Sequence, residues 1–469
     1  MTPRHLTDLG NAERLVAFHG DDLRFCHLWA TWLCWDGRRW AKDESGETER
    51  RAKATVRALY GEAANTDDPD ARKALALHAR RSEAESRIRA MVTLARSEPG
   101  IPVLPSDLDA DPWVLNVSNG TLDLRTGELR PHRRTDLLSK LAPVPFEANA
   151  ECPTWVGFLK RVLDDRDSLI GFVQRAVGYS LTGDVMARKL FILHGSGRNG
   201  KSTFLRTIGE VLGDYSMRTP SSSLMDRRGD SIPNDLARLK GARFVATTET
   251  AEGKRLAEAQ VKDITGGEPI TARFMRAEWF EFMPEFKLWL ATNHLPDIRG
   301  TDPAIWDRVR RVPFEVRIPE DEEDTELPDK LRVEFPGILR WAVEGCLAWQ
   351  VEGLAEPEEV QGATSSWRRD MDVLGAFLSD MCEEGPELSE AGGPLYVAYH
   401  NWCERNGYAA KANNLFALAL RERGFSQKRT NRGQSWQSLA LVKGPRNHAG
   451  VRRLPLPETR GRHRDHGPV

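Results

Sequence analysis

The sequence has few cysteines, and no two of them form a closely spaced pair. Six cysteines are scattered over 469 residues without any CxxC pattern. A zinc ribbon or a thioredoxin-like redox pair needs that spacing, so the sequence argues against both. Isolated cysteines of this kind are typical of reduced, buried thiols. They are Cys26, Cys34, Cys152, Cys346, Cys382 and Cys403.

Long hydrophobic runs and a strong charge of either sign are also missing. No stretch of about 20 apolar residues occurs, and the start, MTPRHLTDLGNAERL, lacks the apolar block of a signal peptide. We therefore expect a soluble, cytoplasmic protein with no membrane partner. The formal net charge of −2 excludes a protein that coats polyanions by its overall charge, although local basic patches are compatible with that total.

The chain is too long for one hydrophobic core and predicts several domains. Asp36-Gly37, set between alternating aromatic residues, predicts a β-hairpin turn. The sequence GLAEPEEVQGATSS, residues 353–366, has the composition of a linker. The other predicted segments are helices over 48–97 and 155–181, an α/β region over 186–318 and a helical region over 328–350.

The motif FILHGSGRNGKST, residues 191–203, matches the phosphate-binding pattern G-x-x-x-x-G-K-[ST]. An apolar strand precedes it, and apolar residues at helical spacing follow it. Glycines let backbone N–H groups face phosphates, the lysine neutralises the β- and γ-phosphates, and the serine hydroxyl binds Mg²⁺. The sequence thus predicts ATP and Mg²⁺ as cofactors. The predicted binding residues are Gly195, Ser196, Gly197, Arg198, Asn199, Gly200, Lys201, Ser202 and Thr203, with Ser202 as a metal ligand.

A phosphate loop needs an acidic residue at the end of a neighbouring strand for hydrolysis. Glu249 follows the apolar strand residues 244–246 and is the predicted acid, either in the Mg²⁺ shell or polarising the attacking water. An ordinary exposed glutamate is the alternative. Asn293 directly follows a further apolar run, KLWLAT. It would face the γ-phosphate, because ligands collect at the carboxyl ends of parallel strands. The alternative for Asn293 is a turn-capping residue, and we interpret His294 as a loop residue.

Three arginines precede the next apolar strand in PAIWDRVRRVPFEV. They would form a solvated strand edge in the simplest interpretation. In ring-shaped ATPases, however, an arginine from the neighbouring subunit stabilises transition-state charge. Arg308 is the predicted residue for that role, with Arg310 and Arg311 behind it.

Five ordered motifs resemble those of superfamily 3 helicases, specifically the phage/plasmid primase-helicase family with its poxvirus-type helicase domain. They are GSGRNGKST, GARFVATTET, VKDITGGEPITARF, KLWLATNHLP and WDRVRRVPF. Upstream, LTDLGNAERL, WLCWDGRRW and NVSNGTLDLRTGEL look like the region that precedes the helicase, so the resemblance runs from about residue 6 to residue 442. It implies an AAA+-type ATPase that assembles as a homo-hexamer and translocates on DNA.

The resemblance also implies roles for matching positions. Lys201 lies in the phosphate loop, Glu249 is the metal-site acid, Asn293 the sensor and Arg308 the arginine finger. Many members have two adjacent acids where this chain has Thr248-Glu249, which leaves open whether Glu249 holds metal, activates water or does both.

A hairpin that grips DNA in the ring channel is expected between Glu249 and the KLWLAT strand. Phosphate contact needs positive charge and little base information. The predicted DNA-binding residues there are Lys262, Arg273 and Arg276, and the alternative is a surface hairpin with ordinary salt bridges.

Alternating carboxylates at Asp107, Asp109 and Asp111 superficially resemble a polymerase metal site or an EF-hand. The EF-hand is excluded because Pro112 stands where glycine is required and Ser118 where the bidentate glutamate belongs. The helicase-side resemblance begins at residue 6 and leaves no room for a primase domain. We therefore interpret the segment as a polar loop and expect no primase activity, with a separate primase as a candidate partner.

The C-terminal segment reads helix, helix and two strands around KRTNRGQSW, a winged-helix pattern. Leu415, Phe416, Leu418 and Leu420 are predicted to pack against its core. Arg421, Arg423, Lys428, Arg429 and Arg432 would lie opposite, where Lys428, Arg429 and Arg432 are predicted to bind duplex DNA. A solvated face or a protein-docking module is the alternative.

The predicted fold class is α/β: an AAA+-type P-loop ATPase core with a mixed N-terminal α+β region and a C-terminal winged-helix domain. The predicted function is an ATP-dependent replicative DNA helicase of a phage, prophage or plasmid-like element in the cytoplasm of a bacterial host cell. The alternatives are an origin-melting initiator, a defence-related ATPase, or a DNA-binding regulator that uses ATP as an assembly switch. The predicted domains are 1–104 (N-terminal), 105–185 (collar), 186–318 (ATPase core), 319–365 (helical extension and linker), 366–442 (winged helix) and 443–469 (disordered basic tail).

Overall fold

A computed structural model describes residues 5–226, 234–248, 253–273, 278–298, 303–430 and 433–442. The chain divides into two compact units, Met1–Trp367 and Arg368–Val469. The predicted disordered tail lies outside the described residues. No helix in the described part of the chain is long and apolar enough to cross a membrane. All six cysteines are free and buried, as the sequence predicts.

The first unit begins with a helical layer and a small antiparallel sheet. Asp36 forms the predicted turn of that sheet, because its carboxylate accepts the backbone N–H groups of Arg38 and Arg39, both at 2.8 Å. The predicted helical region is broken where Asp68 caps a helix that starts with Pro69. The elements are α1 (Asp8–His19), β1 (Leu23–Cys26), β2 (Thr31–Trp35), β3 (Trp40–Lys42), α2 (Glu47–Ala64), α3 (Pro69–Ser82) and α4 (Glu85–Ala95).

A second small sheet and two helices, the collar, lead to the main sheet. The three alternating carboxylates of the polar loop have separate partners: Asp107 accepts the Leu104 N–H, Asp109 the Ser139 N–H, and Asp111 pairs with Arg125. These contacts are those of a hydrogen-bonded loop. The elements are β4 (Val114–Val117), β5 (Gly120–Asp123), β6 (Glu128–Arg130), α5 (Pro153–Val162) and α6 (Asp167–Leu181).

The centre of the unit is a five-stranded parallel sheet. The elements from here to its last strand are β7 (Leu190–His194), α7 (Lys201–Leu212), β8 (Ser216–Arg218), α8 (Asn234–Ala237), β9 (Phe244–Thr248), α9 (Glu258–Gly266), β10 (Ile270–Ala272), β11 (Phe280–Phe282), β12 (Lys287–Thr292), α10 (Pro303–Trp306) and β13 (Val309–Pro313). The strand order is β13-β7-β12-β9-β8. Thr292 pairs with His194, and Ala291 with Thr248, so the carboxyl ends of β7, β12 and β9 share one edge.

Trp289 is the centre of the core beneath this sheet. Its buried ring lies against Phe191, Phe204 and Phe244, with ring centroids 4.5, 5.7 and 5.6 Å away. Its indole N–H donates to the Ser180 hydroxyl at 3.1 Å, so the polar end of the ring is satisfied too. The aromatic packing therefore joins the sheet to α7, and the hydrogen bond to Ser180 joins it to α6.

Two buried cations tie the collar to the amino-terminal edge of the sheet. Lys287 is fully buried and donates to the carbonyls of Thr182, Asp184 and Glu285, the last two at 3.1 Å. Burial lowers the pKa of Lys287 well below its usual value. Arg243, also buried, donates to the Leu181 carbonyl at 2.8 Å. The end of α6 is thus fastened to the starts of β9 and β12.

The prediction of a linker at residues 353–366 is largely wrong, because a helix that starts at Glu358 covers most of this segment. The elements that follow the sheet are α11 (Leu327–Val333), α12 (Phe335–Glu352) and α13 (Glu358–Met371). Val360 and Trp367 are buried, and the Trp367 ring meets the Trp306 ring at 5.2 Å. The glycine and serine content of this segment conceals apolar residues at helical spacing.

The second unit contains α14 (Val373–Met381), β14 (Cys382–Ala391), α15 (Gly392–Arg405), α16 (Asn413–Glu422), β15 (Gln427–Thr430) and β16 (Gly433–Leu441). Its antiparallel sheet has the order β14-β16-β15. The predicted packing of α16 is half wrong: Phe416 and Leu420 are buried, whereas Leu415 and Leu418 are 51% and 47% exposed. The buried pair is spaced i, i+4 and sets the face that turns inward, which leaves the other two leucines outside it.

We expect Gly178→Ala to lower the melting temperature, since α6 crosses α12 closely at this position. An added Cβ would lie 2.1 Å from the Cys346 backbone nitrogen, which cannot move away alone. Overpacking of this kind costs roughly 1–3 kcal/mol of unfolding free energy. Gly157→Ala on α5 is the matched control, because nothing lies within 4 Å of its Cβ position. Equal melting temperatures for the two variants would contradict the close crossing.

Candidate functional site

The loop between β7 and α7 has the backbone geometry of a phosphate cradle. Gly197 and Gly200 have φ values of +100° and +80°, which L-residues rarely adopt. A Cβ on Gly195 would also lie 2.0 Å from the carbonyl oxygen of Phe314. The glycines of the motif are therefore required by conformation and by close packing.

Lys201 is a buried cation surrounded by uncharged acceptors. Its Nζ donates to the Gly195 carbonyl and the Asn199 side-chain oxygen, both at 2.8 Å, and to the Asn293 side-chain oxygen at 3.0 Å. Burial lowers its pKa to about 8. None of these partners is a carboxylate, so the ammonium charge is solvated but not neutralised. An anionic phosphate fits this position better than any neutral group.

Asn293 lies where the sequence predicts it, one residue beyond β12 and in contact with Lys201. The turn-capping alternative belongs to its neighbour, because the Thr292 hydroxyl accepts the His294 N–H at 3.1 Å and donates to the His294 carbonyl at 2.6 Å. The Asn293 amide is thus left beside the phosphate cradle. His294 is an exposed loop residue, as the sequence predicts.

A cavity of about 770 Å³ opens over the cradle and is large enough for a nucleotide. Ser202 and Thr203 line it, so their hydroxyl groups are available to a phosphate-bound Mg²⁺. Thr248, the last residue of β9, also lines it. The predicted acid Glu249 lies outside the described residues. The donors present therefore fit ATP and Mg²⁺ as far as the described residues extend.

One wall of the cavity comes from residues that sequence reasoning missed. Phe158 and Arg161 of α5 line it on the collar side, and Glu322 lines it after the last strand of the sheet. Arg161 pairs with Glu322, and Arg198 of the cradle pairs with Glu320 at 2.9 Å. The acidic run EDEEDTE, residues 320–326, was the available sequence signal for this wall.

The three arginines of β13 and its approach have three different positions. Arg308 lies at the edge of the sheet opposite the cradle, because its carbonyl accepts the N–H of Leu190 at the start of β7. Arg310 pairs with Glu356 at 2.5 Å. Arg311 lies 3.1 Å from a ring nitrogen of His194, next to the cradle. Arg308 therefore does not reach the phosphate loop of its own chain.

The predicted hairpin is present, but the predicted cations are not all on it. β10 and β11 pair antiparallel, with Ala272 opposite Phe280. Arg273 follows β10, and its guanidinium lies 4.8 Å from the centroid of the exposed Trp279 ring. Lys262 lies on α9 instead. Arg276 lies outside the described residues.

The basic residues of the second unit differ in their exposure and in the groups that they contact. Lys428 and Arg429 are exposed on β15, as a phosphate-binding surface requires. Arg421 donates to Gln427 at 2.8 Å, and Arg423 pairs with the Asp372 carboxylate. The prediction that Arg423 lies on a free face opposite the core is therefore wrong. Arg432 lies outside the described residues.

Three family models match the chain in order. Residues 12–164 match a family described as D5 N terminal like, and residues 369–437 match one described as poxvirus D5 protein-like. Between them, residues 193–311, which include the cradle, match a family of unknown function, DUF5906.

The chain is also similar to several viral proteins. It is 25% identical to L207/L206 of Acanthamoeba polyphaga mimivirus, a protein named as a helicase. The match covers 73% of this chain and 38% of that protein. It is 25% identical to the helicase-named 022R of Frog virus 3, with coverage of 64% and 39%. The primase-named C962R of African swine fever virus is 27% identical, with coverage of 45% and 23%. The chain thus spans less than half the length of these relatives.

Among solved structures, the apo C-terminal region of NrS-1, residues 305–718, has a similar fold. The TM-score is 0.52, and 92% of this chain and 99% of that one are covered, at 9% sequence identity. At this identity the likeness concerns the fold alone.

We expect the affinity for ATP to fall as pH rises above 8. Bound phosphate restores the charged form of Lys201, so binding takes up a proton where the free lysine is neutral. Because the free pKa is about 8, affinity should be level below pH 7 and weaker by about tenfold at pH 9. Calorimetric titration with a non-hydrolysable ATP analogue, in two buffers of different ionisation enthalpy, measures both quantities.

Lys201→Arg provides the control, since arginine stays protonated throughout this range. Its affinity, whatever its level, should not fall between pH 7 and pH 9. Absence of proton uptake at pH 8.5 in the wild type would show that Lys201 does not face the phosphates.

Proposed function

Because this chain belongs to the D5-type primase-helicase family of phages and viruses, we propose that it is an ATP-dependent DNA helicase of superfamily 3. The proposal assigns ATP and Mg²⁺ to the cavity over the cradle and DNA to the basic surfaces. The chain covers 38% of the length of its mimivirus relative. That this chain carries out the activity of such a longer protein is therefore part of the proposal.

The contact between Lys201 and Asn293 is the observation that carries the proposal. It joins a phosphate-binding lysine to a polar residue at the tip of the adjacent parallel strand, within 3.0 Å. A sensor of the γ-phosphate needs that position, since it must detect the group that the lysine holds. The strand order, with β7 between β12 and β13, supports an AAA+-type core.

Assembly into a ring of six subunits is also part of the proposal, and the position of Arg308 supports it. An arginine finger that cannot reach its own phosphate loop acts on a neighbour's, and head-to-tail contacts that close produce rings. Glu249 is proposed as the acid of the same site. It would hold Mg²⁺, activate water, or do both.

DNA binding is proposed at two places. Arg273 with Lys262 and Arg276 would contact a single strand in the channel, and Lys428 and Arg429 with Arg432 would contact duplex DNA. The arrangement α14-β14-α15-α16-β15-β16, with β16 in the middle of its sheet, supports a winged helix. The exposed pair Leu415 and Leu418 favours the competing role of this unit as a protein-docking module.

The absence of primase activity stays a prediction, because one set of relatives carries primase names. A bacterial host also stays a prediction, since the relatives above come from viruses named for amoebal, frog and swine hosts. The origin-melting initiator and the assembly switch remain competing proposals. DNA-stimulated ATP hydrolysis followed by strand displacement distinguishes the helicase from both.

We expect Lys201→Ala and Arg308→Ala to abolish ATP hydrolysis separately and to restore part of it when mixed. In a random mixed ring, about one interface in four combines an intact lysine with an intact arginine. Steady-state hydrolysis with single-stranded DNA measures the recovery. Arg310→Ala is the control, because Arg310 is already paired with Glu356. A mixture no more active than its components would exclude a finger in trans.

We expect Lys428→Ala and Arg429→Ala each to weaken duplex binding and to reduce the slope of log affinity against log salt by about 1. Fluorescence anisotropy over a salt series gives that slope. Arg423→Gln, which removes a guanidinium already paired with Asp372, should leave the slope unchanged. Unchanged slopes in all three variants would favour the protein-docking role.

A further inference from the structure

His194 occupies a junction that the proposed function does not use. It is the last residue of β7, immediately before the cradle, and it pairs in register with Thr292 of β12 and Pro313 of β13. Its half-buried ring therefore lies among three strand tips, one of which leads directly to Asn293.

The contact with Arg311 determines which nitrogen of the His194 ring carries the proton. The Arg311 guanidinium lies 3.1 Å from Nδ1 of His194. Arginine has only donors, so Nδ1 must accept, and the proton of the neutral ring is on Nε2. Burial first, and then the charges of Arg311 and Lys201, lower the pKa of His194 to about 4. The ring is thus neutral, with one defined tautomer, at physiological pH.

The second ring nitrogen is available to the sensor. The backbone of Asn293 lies near the His194 side chain and favours its protonated form. With Nδ1 accepting from Arg311, the ring donor that remains for the carbonyl of Asn293 is Nε2–H. The ring therefore lies between Arg311 of β13 and the residue whose side chain contacts Lys201. Arg311 is itself held by α13, whose Thr364 hydroxyl accepts its backbone N–H at 3.1 Å.

We propose that His194 and Arg311 form a positioning pair for the phosphate sensor. Neither group is placed on the reacting atoms: Arg311 orients the ring, and the ring holds the backbone of Asn293 so that its amide faces Lys201. The inference rests on the proposed ATP hydrolysis. It also gives β13 a second role, because the strand that follows the proposed finger Arg308 then acts, through His194, on the sensor of its own chain.

Removal of either member should lower kcat more than it changes KM. For His194→Phe and Arg311→Met we expect kcat for DNA-stimulated hydrolysis to fall by about 10- to 100-fold, with KM for ATP within about threefold, because the cradle itself is intact. The double variant should be no slower than the slower single variant. His194→Asn, which keeps an acceptor near the Nδ1 position, should retain more activity than His194→Phe.

The pH profile separates positioning from simple packing. Three cationic or titratable groups face the ring: Arg311 of β13, Lys201 of α7 and His294 after β12. Removing Arg311 removes one charge that opposes protonation, so the pKa of His194 rises in Arg311→Met. That variant should lose kcat as pH falls from 7 to 5. The wild type and the double variant should not show this loss.

Arg310→Met is the matched control, since it removes the adjacent arginine of the same strand, which pairs with Glu356 instead. Equal loss of kcat in Arg310→Met, or full kcat in His194→Phe, would overturn the pair. Thermal melting checks that each variant is folded.

A wild type without any ATPase activity would overturn the proposed function rather than the geometry. In that case, ¹⁵N spectra of the histidine rings still test the pair. An Nε2–H tautomer of His194 whose Nδ1 resonance shifts in Arg311→Met supports it, and an unchanged ring spectrum overturns it.

Discussion

The ammonium group of Lys201 is the constraint around which the first unit is organised. A cation this deep in protein is costly unless polar groups surround it, and here three oxygen atoms do so without cancelling its charge. The cradle must bend through left-handed backbone to bring the Gly195 carbonyl to it, and β12 must end at the right height to bring Asn293. The parallel register of β7 and β12 satisfies both requirements at once.

Much of this site could be predicted because its parts follow local rules. A glycine pattern between a strand and a helix specifies the cradle, and the shared edge of parallel strands specifies Asn293. The wall formed by Phe158, Arg161 and Glu322 could be predicted only in part. The acidic run at residues 320–326 signals one side of it, but not that this side pairs with Arg161, about 160 residues earlier in the chain. The same limit applies to His194, which reads as an ordinary strand residue until Arg311 is placed beside it.

The helical segments show where composition misleads. Residues 353–366 have the glycine, serine and acidic content of a linker, yet Val360 and Trp367 are buried in a helix that starts at Glu358. On α16 the opposite error occurs, because hydrophobic leucines were assigned to the core although the helix turns only Phe416, Ala419 and Leu420 inward. Which residues of a helix are buried depends on how the helix is rotated about its axis against its neighbours. The hydrophobicity of a single residue does not reveal that rotation.

The cations at the opposite edge of the sheet determine which part of the chain can fold by itself. The fastening of Lys287 and Arg243 to the carbonyls of residues 181–184 means that a fragment starting at residue 186 would lose these acceptors. Two cations would then lie exposed or unsatisfied at the base of β12 and β9. The smallest fragment that contains the sheet and folds by itself must therefore include α6, and with it the helix α12 that packs on α6. A domain boundary drawn at the sheet, although natural from the motifs, would divide the compact first unit.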